Sequence, residues 1–296
     1  MSDDLLSPTT SGTDPAFDLD RSETGMKAAM VADFHASAAA LRPFATRDKV
    51  VIFGSARITE SSSLYASVRT LAEIFAASGF VVITGGGPGV MTAGLAGAGS
   101  GNALGISVEL PFEDPASFPD IPVITQQLFF TRKLAMVRRT KGIIVVPGGF
   151  GTMDELFEVL TLLQTGKKSP TPLVLFDPDN SGFFDPLLQL FASFEARHLI
   201  SPPDLDLFRV VSTEQAAFAC VEDFWSNYVS FASDGTRGTI QLHHPLSPAA
   251  LATLETEFEP FAPLCGDDAL KQLTIRFDRR NYGLLHRFIR RLSVSV

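Results

Sequence analysis

The sequence predicts an α/β fold: a Rossmann-like, doubly wound parallel sheet followed by a small α+β appendage. Three observations carry this. Short apolar runs at 50–53, 80–84, 142–146 and 172–176 alternate with stretches of helical spacing, as in βαβ units whose strands are covered on both faces. Two of these runs lead directly into glycine-rich turns that open helices. After about Phe231 the alternation gives way to sparser, mixed segments.

Residues 1–25, rich in Ser, Thr and Asp and without periodicity, are expected to form a flexible leader. A weakly amphipathic helix follows from Met26 to about Leu41, stopped by Pro43. Val50-Val-Ile-Phe53 is a short buried strand ending in Gly54-Ser-Ala-Arg57. Leu64, Val68, Leu71, Ile74 and Phe75 give 63–78 a helical face. A strand at 80–84, a small-residue helix at 90–98 and a strand at 103–110 come next. The four prolines of 111–122 mark an irregular loop, the place where base selectivity would reside. A short strand at 123–124, a helix at 131–141, a strand at 142–146 and a helix at 151–163 follow. Strands at 172–176 and 208–211 with helices at 184–197 and 213–228 complete a nucleotide-binding catalytic domain over 26–228. The appendage, 229–296, is read as strand 238–242, helix 248–258, strand 273–277 and helix 282–292.

The 296 residues, 45% hydrophobic and 19% charged, suffice for one large domain or two modest ones and leave little room for long-range disorder. No apolar run reaches the roughly 18 residues of a membrane span, and the start lacks the basic patch and apolar stretch of a signal peptide, so a cytoplasmic protein without a membrane partner is expected. Two cysteines, Cys220 and Cys265, supply neither a disulfide framework nor a four-ligand zinc site. His243 and His244, adjacent on an expected strand, would face opposite sides with no Cys or acid at ligand spacing, so no metal site is expected. A net charge of −9 argues against a nucleic-acid partner. The segment 266–296 is nonetheless basic, with Lys271, Arg276, Arg279, Arg280, Arg287, Arg290 and Arg291 against three acids. Such a tail docks on its own body or a sister subunit or forms a solvated helix face; RNA or an anionic effector is the alternative.

Three strand ends carry the candidate chemistry, because ligands of parallel sheets sit beyond the carboxyl ends of the strands. They are Gly54-Ser55 after the first strand, Gly85-Gly-Gly-Pro-Gly-Val-Met91 after the second, and Pro147-Gly-Gly-Phe-Gly-Thr152 after the strand at 142–146. Glycine lets backbone approach an anion closely, and a helix N-terminus directs unpaired N–H groups and a positive dipole end at it. The candidate cradle comprises Gly86, Gly87, Gly89, Val90 and Met91 from one turn and Pro147, Gly148, Gly149, Gly151 and Thr152 from the other. Neither turn is G-x-G-x-x-G, and no G-x-x-x-x-G-K-[ST] occurs, which favours a mononucleotide over a dinucleotide or a P-loop ligand.

Glu155 and Glu158 share a helix face just after the second turn. A carboxylate beside an anion site is repelled unless it has a task. Arg132 and Lys133 open a helix where the dipole disfavours cations, so they are expected to answer a negative charge, from a ligand or from Glu155. This set suits cleavage of a bond to C1′ of a ribose phosphate: the carboxylate stabilises an oxocarbenium-like state and orients water, while arginine, charged below about pH 12, holds phosphate or ribose or meets the departing base.

These residues also carry a resemblance. Pro147-Gly-Gly-Phe-Gly-Thr-Met-Asp-Glu155 matches the PGGxGTxxE signature of the lonely guy (LOG) family, once described as lysine decarboxylases. Gly85–Met91 matches its companion glycine motif and Thr131-Arg-Lys133 its Arg-Lys pair. The stretches 50–59, 106–113 and 156–167 resemble its longer bacterial members, and the likeness covers about 45–228. It implies a Rossmann-like fold and hydrolysis of nucleoside 5′-monophosphates, AMP-like or cytokinin ribosides, to base and ribose 5-phosphate. It implies Arg132 and Glu155 as the catalytic pair, the glycine turns and Thr152 on the phosphate, no cofactor, and a homodimer or higher homo-oligomer with the site near the interface. The sequence departs from the longer members at Thr92 and Leu95, where they carry Glu and Asn. The decarboxylase label would need pyridoxal phosphate and a Schiff-base lysine, and nothing singles out Lys133 or Lys141 as one. A non-enzymatic nucleotide or cofactor carrier is the alternative on this scaffold, and effector sensing or assembly is a candidate role for 229–296.

Overall fold

The computed structural model describes residues 21–110, 118–267 and 271–293. Its main sheet is built from β1 (Lys49–Phe53), β2 (Val81–Thr84), β3 (Ala103–Val108), β4 (Val123–Gln126), β5 (Gly142–Val145), β6 (Leu173–Phe176) and β7 (Phe208–Val211). All seven are parallel, in the spatial order β4-β3-β2-β1-β5-β6-β7. Helices α1 (Glu23–Leu41), α4 (Phe129–Val137), α5 (Phe150–Gln164) and α6 (Asp185–Ala196) cover one face; α2 (Ser63–Ala77), α3 (Val90–Ala98) and α7 (Glu214–Ser226) cover the other. Successive strand residues serve opposite cores: Val51 and Phe53 pack under α4 and α5, whereas Val50 and Ile52 pack under α2 and α3. That two-sided burial is why the strands read as unbroken apolar runs.

The chain steps outward from β1 to β4, then returns to the other side of β1 and steps outward again from β5 to β7. The order therefore reverses between β1 and β5, which pair from Val50↔Gly142 to Phe53↔Val145. Beyond the carboxyl ends of those two strands lies the crevice such sheets use for ligands.

A second, antiparallel sheet, ordered β10-β11-β9-β8, comprises β8 (Tyr228–Ser233), β9 (Arg237–Leu242), β10 (Cys265–Asp267) and β11 (Gln272–Arg276). With α8 (Pro248–Glu257) and α9 (Tyr282–Leu292) it encloses a phenylalanine-rich core, in which the Phe258 and Phe288 rings meet edge to face at 4.9 Å. The basic tail docks on the protein's own body, where Asp206 receives Arg290 at 3.2 Å and Arg287 at 3.5 Å; within the appendage Glu257 receives Arg291 at 3.0 Å.

Several boundaries differ from the sequence expectation for local reasons. Helix α1 begins at Glu23 because Ser22 accepts the Gly25 N–H, so the expected leader, whose residues 1–20 lie outside the described set, ends before residue 25. Helix α4 stops at Val137, not 141: Lys168 Nζ donates to the Val137 and Thr140 carbonyls and Arg139 turns left-handed at φ 60°. Strand β8 replaces the expected end of a helix at Tyr228. Asn227 ends α7 instead, its carbonyl accepting the His243 N–H and its side chain the His244 N–H. Both histidines consequently lie past the end of β9 rather than on a strand. The expected selectivity loop falls partly outside the described residues, at 111–117. Among the described residues no helix is long and apolar enough to cross a membrane.

Helix α4 owes its seat to an acid on α1, far earlier in the chain. Asp33 of α1, 3% exposed, accepts the Gln127 and Leu128 N–H groups and the Thr131 hydroxyl at 2.6 Å, neutralising the positive end of α4. Asp33→Ala strands those donors, and an equilibrium urea titration is expected to show a loss of about 2–4 kcal/mol.

His286 sits in the C-terminal core beside Phe224, and neither ring nitrogen has a hydrogen-bond partner among the described residues. Burial, helped by Arg290, pushes its imidazole down to about 3. Below about pH 6.5 the unfolded chain takes up a proton that the folded state refuses, so stability present at pH 7 is lost as the pH falls toward 3. Between pH 7 and 4, urea titrations should show the wild type losing about 3 kcal/mol more than His286→Leu.

Candidate active site

The reversal between β1 and β5 opens a cleft of about 680 Å³. One residue fixes its floor. The Ser55 N–H donates to the Pro147 carbonyl at 3.3 Å, and the Ser55 carbonyl accepts the Val90 N–H at 3.0 Å, so the loop after β1 is clasped between the two glycine turns. Gly89 opens α3 at φ +67°, and a Cβ there would run into the Ser55 carbonyl and the Ala56 backbone; only glycine serves. Gly85 leaves room of another kind, for a Cβ on it would occupy the space of the Arg132 guanidinium.

Arg132 comes from α4 and is aimed by a hydrogen bond from its Nε to the Ile106 carbonyl of β3, 2.9 Å. Glu155 comes from the start of α5. Its Oε1 lies 3.9 Å from Arg132 Nη1, with the two side chains 11% and 12% exposed. Burial pushes the Glu155 carboxyl up to about 7. Arg132 opposes that rise more than any other charge, Asp154 and Glu158 add to it, and Lys133 draws the carboxyl back down. A carboxyl held near neutrality in a cleft can switch between its two forms at working pH.

Around this pair, Phe150, Gly151 and Thr152 contribute the first amides of α5, which lack intrahelical partners and carry the positive dipole end. Space in front of Gly149 and Gly151 is open: a Cβ on either would meet nothing within 4 Å. An anion can reach this backbone directly. Among the described residues no group of three His, Cys, Asp or Glu is placed to hold a metal ion.

The cleft lining brings together Gly54, Ser55, Met91, Arg132, Gly148, Gly149, Gly151, Thr152 and Glu155. Other residues expected to touch substrate stand behind it. Gly86 lies against the β3 backbone, Gly87 accepts the Thr92 hydroxyl at 2.9 Å, and Val90 is fully buried with its amide spent on Ser55. Gly89 and Pro147 likewise face the Ser55 clasp. The first glycine turn shapes the loop and seats Arg132, with Gly85 and Met91 reaching the cleft. Thr92 closes that turn, and Leu95 is fully buried in the core, so neither lines the cleft. Lys133 pairs with Asp154 at 2.7 Å and Glu158 at 3.1 Å; Lys133 and Glu158 line a separate cavity.

Sequence reasoning passed over Arg57, an exposed cation in the lining, although its place directly after β1 is a carboxyl-end position. It also passed over Phe150, 97% exposed at the cleft, for which an aromatic between two glycines gave no signal.

Residues 88–221 match the family described as possible lysine decarboxylase. Over 154 residues the chain is 32% identical to the pyrimidine/purine nucleotide 5′-monophosphate nucleosidase of Escherichia coli K12, a match covering 48% of this chain and 34% of that protein. It is 28% identical over 176 residues to the cytokinin riboside 5′-monophosphate phosphoribohydrolase of Mycobacterium tuberculosis, covering 58% of this chain and 92% of that one. Among solved structures, the molybdenum cofactor binding protein of Rippkaea orientalis aligns with a TM-score of 0.44 at 19% identity, covering 60% of this chain and 96% of that chain. The chain spans about a third of the length of the first curated relatives it matches, 32% and 34%. The matched stretch, residues 88–221, holds Arg132, the second glycine turn and Glu155.

Proposed function

We propose that this protein hydrolyses the N-glycosidic bond of nucleoside 5′-monophosphates, AMP or cytokinin riboside 5′-monophosphates, to free base and ribose 5-phosphate. The observation that carries the reading is the placement of Glu155: a buried carboxyl, one turn into the helix whose open N-terminus lines the same cleft. With the 5′-phosphate on the amides of α5, the sugar extends toward Glu155. The carboxylate then stabilises positive charge developing at C1′ and orients the attacking water. Arg132 favours the ionised form of Glu155 and meets phosphate, ribose or the departing base; Arg57 adds a second cation at the rim. The relatives named above as a nucleosidase and a phosphoribohydrolase support the same chemistry.

The site is further proposed to work in the cytoplasm within a homodimer. Met30, Val31 and Phe34 of α1 and Phe130 and Leu134 of α4 form an exposed apolar face beside the helix that carries Arg132. A second copy would cover that face and hold α4 in place.

Incubation with AMP, followed by chromatography, is expected to release adenine with one ribose 5-phosphate per turnover. Glu155→Gln should lower kcat by about 10³-fold, the scale of a lost catalytic group, with an unchanged melting temperature. Adenine release that persists in that variant would refute the role of Glu155. Tight nucleotide binding by calorimetry with no base released over hours would make the protein a carrier instead. Because the ionised form acts and its pKa is raised to about 7, kcat/KM should rise with pH through that value and fall about tenfold per unit below it.

A further inference from the structure

A second hollow, of about 560 Å³, lies behind the catalytic pair, walled by the end of α4, the adjoining turn, the outer side of α5 and strand β8 of the appendage. Its volume falls within the range of small-ligand sites. Its charge is out of keeping with a protein of net −9: six cations line it against a single carboxylate, Glu158. Lys133 is neutralised by Asp154 and Glu158, and Lys141 lies 3.6 Å from Asp48. Arg138, Arg139, Lys167 and Lys168 have no carboxylate partner among the described residues. Four unanswered cations around one cavity repel one another unless an anion joins them.

The hollow also presents a donor that the protein leaves unused. Lys168, half-buried, gives two protons to the Val137 and Thr140 carbonyls and retains a third, and burial holds its ammonium down to about 8. Tyr228, 1% exposed, also lines the cavity.

We propose that this hollow is a regulatory site for an oligophosphate anion, inorganic or nucleoside-borne, whose binding restrains the catalytic pair through Lys133 and Glu158. The charge count selects the ligand: a monophosphate brings about two negative charges, a triphosphate about four, matching the unanswered cations. The coupling follows from sequence neighbours. Lys133 adjoins Arg132 on α4, and Glu158 lies one turn after Glu155 on α5. An anion that draws Lys133 away frees Asp154 and Glu158, whose charges favour the protonated form of Glu155. Binding itself is independent of the reaction assigned above; only its effect on turnover rests on that reading.

Titration calorimetry of the full chain with sodium tripolyphosphate and with ATP, at about 0.15 M NaCl to screen non-specific attraction, is expected to show one saturable site. The double variant Arg139→Asn/Lys167→Ser removes two exposed cations, and asparagine tolerates the left-handed backbone at 139. Its melting temperature should match the wild type while tripolyphosphate affinity drops about 10-fold or more. Glu155→Gln should retain the tripolyphosphate site with affinity no weaker than the wild type, separating this hollow from the cleft. Equal affinity for both probes supports readout of phosphate alone, and tighter ATP supports a seat for the nucleoside as well. No heat with either probe, or undiminished binding by the double variant, would overturn the site, whether or not AMP is cleaved. If AMP is cleaved, tripolyphosphate should lower kcat/KM several-fold in the wild type and less in the double variant; unaltered turnover at saturating anion would overturn the coupling.

Discussion

The arrangement depends on one peptide unit's worth of hydrogen bonding at Ser55. Its N–H and C=O tie the loop after β1 to the turn after β5 on one side and to the start of α3 on the other. A parallel sheet places strand ends side by side but leaves the loops beyond them free to splay. Joining two loops across a third removes that freedom. The open end of α5, the loop at 54–57 and the wall formed by Gly85 and Met91 thereby face one volume.

Within that volume the balance is electrostatic. Burial alone would keep Glu155 protonated, and the nearby acids Asp154 and Glu158 push the same way; Arg132 is the chief counterweight, and Lys133 adds to it from outside the cleft. The 3.9 Å spacing leaves the carboxyl short of a direct hydrogen bond to the guanidinium, so its oxygens stay available. Arg132 itself is held by a β3 carbonyl, and its helix by Asp33. The position of one guanidinium thus integrates α1, β3 and α4.

Much of this was legible before any coordinates. Apolar runs bounded by glycine marked β1, β2 and β5, and the charges after the turns marked Arg132 and Glu155. The contact of the first glycine turn with the loop after β1 has no sequence signal, because glycine admits both close approach to an anion and close approach to another loop, and the sequence does not distinguish the two. Asp33 gave no signal, since an acid in a weakly amphipathic helix looks solvated until a distant helix end arrives to use it. Strand β8 was hidden because Phe224, Trp225 and Tyr228 extend the apolar spacing of α7, and Asn227 alone breaks it. The cations of the second hollow come from two stretches, 133–141 and 167–168, that meet only in the fold, so neither one announces a shared cavity.

The parts that set the site do not coincide with the segment that matches the family model. Arg132 and Glu155 fall inside 88–221, whereas Asp33, Ser55 and Gly85 all precede it. The matched stretch therefore holds the two charged partners without the scaffold that aims them. The smallest self-sufficient unit of this site reaches back to α1, and a fragment trimmed to the matched boundaries would keep the reactive groups while losing their alignment.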